Sequence, residues 1–181
     1  RYYSLLEMDF AKEEIISKLS LHRALLNGSA ELLVVYDEES SLEVAYALVL
    51  TKNLYGYVLL KYMAVLPWYR GKGVGIAAMR LINKRYADRQ GIIAELTSFE
   101  DEDGSMIKGL RKFFARFGYV VVDSDYRIGG APVELLVKPI KGTFEIEPVE
   151  HRIIRDFYTR ILNPFAMDKM IDIRPVRKPE E

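Results

Sequence analysis

The sequence predicts an α/β (α+β) domain, on three observations. β-rich apolar runs are interleaved with runs whose apolar residues recur at helical spacing. Two neighbouring apolar runs, Glu31–Tyr36 and Leu42–Thr51, flank the polar turn Asp37–Ser41 as a hairpin would. A third run, Tyr57–Leu66, enters a glycine-rich turn that opens a helix. The chain has 181 residues, half of them hydrophobic, which is enough for one domain with a sizeable core.

The elements follow in order. Tyr2–Met8 is expected as a short first strand. Asp9 is expected as an N-cap, with Phe10, Ile15, Ile16, Leu19 and Leu25 marking one or two helices up to Asn27-Gly28. The hairpin and the strand Tyr57–Leu66 come next. Gly73–Ala87 is helical, with Val74, Ala77, Ala78, Leu81 and Ile82 on its apolar face. Ile92–Thr97 is a strand that runs into the acidic loop Glu100–Gly104. Met106–Phe117 is helical and stops at Gly118, a C-cap residue. Tyr119–Asp123 and Val133–Val137 are strands joined by a loop holding Gly129-Gly130. Pro148–Leu162 is an amphipathic helix with Ile153, Ile154, Phe157, Ile161 and Leu162 on one face. Arg174–Glu181 is a charged, proline-containing tail. The expected division is a domain over residues 1–140, with residues 141–181 as a helical extension and tail packed on it.

Composition narrows the function. Basic and acidic residues number 26 each, so the net charge of zero disfavours a nucleic-acid partner. No apolar run reaches the roughly 20 residues of a membrane span, so no membrane partner is expected. The absence of cysteine excludes disulfides and thiolate chemistry and fits a reducing, cytoplasmic setting. His22 and His151 are the only histidines, so no metal site is expected. Arg1-Tyr2-Tyr3 is not a secretory signal, and the missing initiator Met implies that residues before Arg1 have been removed.

The most informative stretch is Val65-Leu66-Pro67-Trp68-Tyr69-Arg70-Gly71-Lys72-Gly73-Val74-Gly75. A glycine-rich turn at a helix N-terminus leaves backbone N–H groups free to meet an anion, typically a phosphate. Gly71, Gly73 and Gly75 allow close approach, and Arg70 and Lys72 add positive charge. The dinucleotide fingerprint fails because Ile76 stands where the last glycine belongs. The nucleotide-triphosphate loop fails because Gly73 follows Lys72 where Ser or Thr is required.

The turn resembles the coenzyme A pyrophosphate loop of the GNAT N-acetyltransferase superfamily. Arg70, Gly73 and Gly75 fill the fixed positions of its [Q/R]-x-x-G-x-[G/A] pattern. Ile92-Ile93-Ala94-Glu95 and Arg111–Tyr119 resemble the later half of a bacterial subgroup of that family. The resemblance covers roughly Leu5–Val137. It implies a mixed, mostly antiparallel sheet flanked by helices on both faces, with Tyr57–Leu66 and Ile92–Thr97 splayed apart.

The activity implied is acetyl transfer from acetyl-CoA to a primary amine by direct attack on the thioester. The cofactor-binding residues implied are Val65 and Leu66 for the pantetheine arm, Arg70, Gly71, Lys72, Gly73, Val74 and Gly75 for the pyrophosphate, and Phe114 as packing. A backbone N–H near Val65 would meet the oxyanion, a contribution of about 3–4 kcal/mol. The strand before the turn lacks the Glu that relatives use as base; its ionisable groups are Tyr57, Lys61 and Tyr62. Glu95 is the preferred base, since burial among Ile92, Ile93, Ala94 and Leu96 would raise its pKa. The alternative is that Glu95 pairs with a basic side chain and is structural. Phe114 stands where relatives carry a Tyr general acid, so water, Tyr62 or Tyr119 would have to substitute.

A small-molecule or peptide amine is the expected partner, and a cationic one if the acidic loop Glu100–Asp103 overhangs the pocket. The alternative reading is a GNAT-fold acyl-CoA-binding module of little or no activity. The last helix would either close the core of a monomer or meet a second chain in a homodimer.

Overall fold

The computed structural model describes residues 1–97, 104–122, 125–142 and 149–174. The acidic loop Glu100–Asp103 and most of the tail Arg174–Glu181 lie outside the described residues.

The chain opens with α1 (Tyr2–Asp9), a 3₁₀ turn (Lys12–Glu14) and α2 (Lys18–Leu26). Here the expected strand Tyr2–Met8 is replaced by a helix. Only Leu6 of α1 is buried, so its local pattern carries little signal; its place is set by packing, such as the Tyr2 ring 6.0 Å from that of Tyr46. Asp9 closes α1 instead of capping the next helix. The cap of α2 is Ser17, whose Oγ accepts the Ser20 N–H at 3.2 Å.

The sheet follows as β1 (Ala30–Tyr36), β2 (Glu43–Leu50), β3 (Tyr57–Val65), β4 (Gly91–Thr97), β5 (Val120–Val122), β6 (Asp125–Ile128), β7 (Ala131–Pro139) and β8 (Ile171–Arg174). Between them lie α3 (Val74–Arg85), α4 (Ser105–Ala115), α5 (Val149–Thr159) and α6 (Pro164–Met170). The order across the sheet is β1-β2-β3-β4-β7-β6-β8, with β5 also on β7. Among the described residues every pairing is antiparallel except β3 with β4, which α3 connects. The sheet is therefore mixed and mostly antiparallel, as expected.

Each face of the sheet buries its own core. Tyr46, Leu48, Leu50, Leu59 and Ile93 pack with α1, α2 and α5 on one side. Ala47, Val49, Val58, Leu60, Ile92 and Ala94 pack with α3 and α4 on the other. Residues Ile153, Ile154 and Phe157 of α5 are each at most 1 % exposed, so its apolar face is spent on this chain's own core.

Three short elements were not expected. Asn163-Pro164 caps α6, with the Asn163 carboxamide oxygen accepting the Ala166 N–H at 2.8 Å. β6 forms a tight hairpin with β7 across Gly129-Gly130, and β8 pairs along β6 with Ile171 opposite Ile128.

Strand β3 carries the feature that shapes the site. Tyr62 pairs with Leu48 and Leu60 with Val49, so Lys61 is an extra residue, a β-bulge. The alternation of faces slips there: Leu60 and Met63, three apart, face the same core, as do Leu59 and Tyr62. β3 and β4 are paired only from Tyr57↔Gly91 to Leu60↔Ala94. Beyond the bulge they diverge.

Candidate active site

The divergence leaves a cleft of ≈ 610 Å³, lined by Lys61, Met63 and Val65 of β3 and by Glu95 and Thr97 of β4. Asp9, Phe10 and Glu14 close it on one side, and Leu110 and Phe114 on the other. Leu66 N–H is given to Val44 O at 2.9 Å, and backbone direction alternates along a strand. The groups of Val65 and Met63 therefore point away from β2, into the cleft. Leu66, by contrast, is held in the sheet.

At the end of β3, Pro67–Tyr69 make one 3₁₀ turn and the glycine turn follows. Gly71 and Gly73 have φ of +74° and +81°, a conformation strained for any residue with a Cβ. A Cβ on either would meet nothing within 4 Å, so the turn is open to a ligand. Gly73 caps α3, and Val74 and Gly75 start it, so their N–H groups belong to the unpaired first turn. Among the described residues, the N–H groups of Gly71, Lys72 and Gly73 donate no backbone hydrogen bond. This cradle fits a pyrophosphate. Lys72 makes no ion pair among the described residues, and its Nζ stands 5.8 Å from the Tyr69 ring centroid.

Arg70 is held elsewhere. Its Nε donates to Val65 O at 2.9 Å and Nη2 to Asp9 Oδ1 at 2.7 Å. Asp9 Oδ2 accepts the Tyr46 hydroxyl at 2.8 Å. Burial, reinforced by that hydrogen bond to Asp9, drives the Tyr46 phenol far above its ordinary range. Arg70 thus ties α1 to the end of β3.

Glu95 and Lys61 form an ion pair, with Nζ to Oε2 at 2.8 Å and both side chains only 1 % exposed. Glu95 also accepts the hydroxyls of Tyr126 (2.8 Å to Oε1) and Tyr158 (2.8 Å to Oε2). Two phenol donors and a cation thus surround one carboxylate. Burial first, then the Glu95 charge, pushes both phenols well above their ordinary value of 10.0, so they stay protonated donors. Lys61 Nζ also lies 5.2 Å from the Tyr62 ring centroid and 5.6 Å from that of Tyr158.

Tyr62 is buried, and its hydroxyl has two partners. It donates to Glu14 O at 2.8 Å and accepts Ile16 N–H at 2.9 Å. Its phenol is raised well above 10.0, chiefly by burial. Phe114, 6 % exposed, lines the cleft and stacks edge-on against Tyr119, with centroids 5.1 Å apart.

Glu14 carries no mark in the sequence. Its Oε1 accepts Ala11 N–H at 3.1 Å and Oε2 accepts the Thr97 hydroxyl at 2.6 Å. Among the described residues it is the cleft-lining carboxylate without an ion-pair partner. No local motif could have marked it, because the fold alone brings the 3₁₀ turn to the open end of β4. Lys61 did leave a signal, as a lone lysine in the apolar run Tyr57–Val65.

A family profile described as "Acetyltransferase (GNAT) domain" matches residues 28–121. Among curated proteins, none matches the chain. A GNAT-family protein from Bacteroides thetaiotaomicron superposes with a TM-score of 0.66 at 19 % identity, over 87 % of this chain and 90 % of that one. A chimeric spermidine N-acetyltransferase from Vibrio cholerae gives 0.58 at 11 % identity, over 77 % and 90 %. An aminoglycoside 6′-N-acetyltransferase complexed with coenzyme A gives 0.55 at 14 % identity, over 79 % and 91 %. At these identities the likeness is one of fold, while the profile spans more than half the chain. The chain belongs to the GNAT acetyltransferase family.

Proposed function

We propose that the protein transfers an acetyl group from acetyl-CoA to a primary amine by direct attack on the thioester. The observation that carries this reading is the junction of two features: a β3 edge at Met63 and Val65 that β4 does not pair, and an open glycine turn where that edge ends. Acetyl-CoA supplies the activated acyl group. The N–H groups of the Gly71–Gly75 turn would hold its pyrophosphate, with Lys72 adding charge. Met63 and Val65 would pair with the pantetheine arm like an added strand. Phe114 would pack against the arm. A backbone N–H near Val65 would meet the developing oxyanion.

Glu14 is our choice of proton acceptor for the incoming ammonium, directly or through one water. It faces the cleft and has lone pairs to spare. Glu95 is held by Lys61 and two phenols, and its role is to fix Lys61 at the bulge. Tyr62 holds the Glu14 turn through its carbonyl. A thiolate leaves without a strong acid, because a thiol pKa of about 8.5 lies near neutrality, so a Phe at position 114 slows the step without blocking it.

A second reading has its own support. Phe114 lacks a hydroxyl and Glu95 is neutralised by Lys61, which favours an acyl-CoA-binding module without turnover. Free-thiol release from acetyl-CoA, measured over a panel of amines that includes polyamines, aminoglycosides and lysine peptides, separates the two. Release that depends on an amine supports the enzyme. Saturable binding with no amine-dependent release supports the binding module.

A further inference from the structure

A second pocket, of ≈ 550 Å³, lies between α1, α2 and the β1–β2 hairpin. It is nearly as large as the cleft and is separate from it, although the two share a wall: Tyr46 lines this pocket and donates to Asp9 of the cleft. Its interior is apolar, built from Leu6, Leu21 and Leu48 with the rings of Tyr2 and Tyr3. Lys18 and His22 also line it; both are exposed, at its solvent side, and four residues apart they lie on one face of α2. Among the described residues, no carboxylate lines it. Lys18 makes no ion pair among the described residues; its Nζ lies 6.0 Å from the Tyr3 ring centroid. An apolar cavity of this size with a few convergent polar groups at one end is the usual form of a small-molecule site.

We propose that this pocket binds an apolar carboxylate of the fatty-acid class, its chain among the leucines and its carboxylate at Lys18 and His22. The charge at the mouth selects the anion. A fatty amine would meet the lysine without a counter-charge, and a fatty alcohol would forgo the ion pair.

Calorimetric titration of the whole chain with decanoate, below its micelle concentration, tests this. The expected result is saturable one-to-one binding that survives saturating acetyl-CoA. Octanoate, shorter by two methylenes, should bind about fifteenfold more weakly, since each buried methylene is worth about fourfold in affinity. Lys18→Glu and Leu19→Asp, both at exposed positions that line the pocket, should each weaken decanoate at least tenfold while leaving the melting temperature within a few degrees. Decylammonium and decanol should bind much more weakly than decanoate. The proposal is overturned by no saturable binding, by equal affinity for decylammonium, by variants that bind as well as the parent, or by displacement with acetyl-CoA, which would put the ligand in the cleft.

Discussion

Lys61 and Glu95 illustrate how a buried pair differs from a catalytic one. Removing one partner leaves a buried charge unopposed, which costs about 3–5 kcal/mol, whereas replacing both with apolar residues is often neutral or better. Glu95→Gln should therefore lower stability by that amount in a denaturant titration, and Lys61→Met added to it should recover most of the loss. If Glu95→Gln instead left stability intact and abolished turnover, Glu95 would be the base after all. Glu14→Gln has the opposite expected pattern. Turnover should fall about 10²–10⁴-fold, with acetyl-CoA affinity unchanged. A variant with the parent's rate and pH profile would exclude Glu14 from the proton path. The sequence exposed Glu95 because it stands alone in an apolar strand. It hid Glu14, whose role depends on Thr97 reaching it from β4, 83 positions away.

Among the elements, the glycine turn and α3 were legible because three glycines, a proline and an amphipathic run all lie within one short stretch. α1 was not, because tertiary contacts through Tyr2, Leu6 and Asp9 decide its conformation more than local pattern does. The bulge at Lys61 was also hidden: Tyr57–Val65 is apolar on both faces, so a slip of one residue leaves no trace in the alternation. β8 did leave a short period-two signal in Ile171-Asp172-Ile173-Arg174, too brief to separate from the charged tail that follows. Gly73→Val should reduce acetyl-CoA affinity more than tenfold by placing a branched side chain in the cradle. Because φ is +81° there, it should also cost about 1–2 kcal/mol of backbone strain, so melting temperature must be followed alongside. Unchanged affinity would remove the turn from the cofactor site. Tyr158→Phe probes how α5 is tied to the cleft. Losing one hydrogen bond to a charged group should cost about 1.5–3 kcal/mol, and no change in melting temperature would mean that α5 is held by its apolar face alone.

For the whole molecule, the buried phenols set an alkaline limit. Tyr62, Tyr126 and Tyr158 have folded pKa values raised well above 10.0, so only the unfolded chain loses these protons just above that pH. Their contribution to stability is complete below pH 10 and declines as pH rises toward the folded values. Phenolate absorbance from the buried set should therefore appear together with the loss of helical circular dichroism, above pH 10 and not before unfolding. Phenolate signal from all 12 tyrosines with the circular dichroism intact would contradict the burial described.

Taken together, the splayed strands and the glycine turn are proposed to form one acetyl-CoA site. Calorimetric titration with acetyl-CoA, using ATP and NAD as controls, tests it most directly. Saturable one-to-one binding of acetyl-CoA is expected, with no comparable heat from either control. Heat from ATP or NAD and none from acetyl-CoA would contradict it.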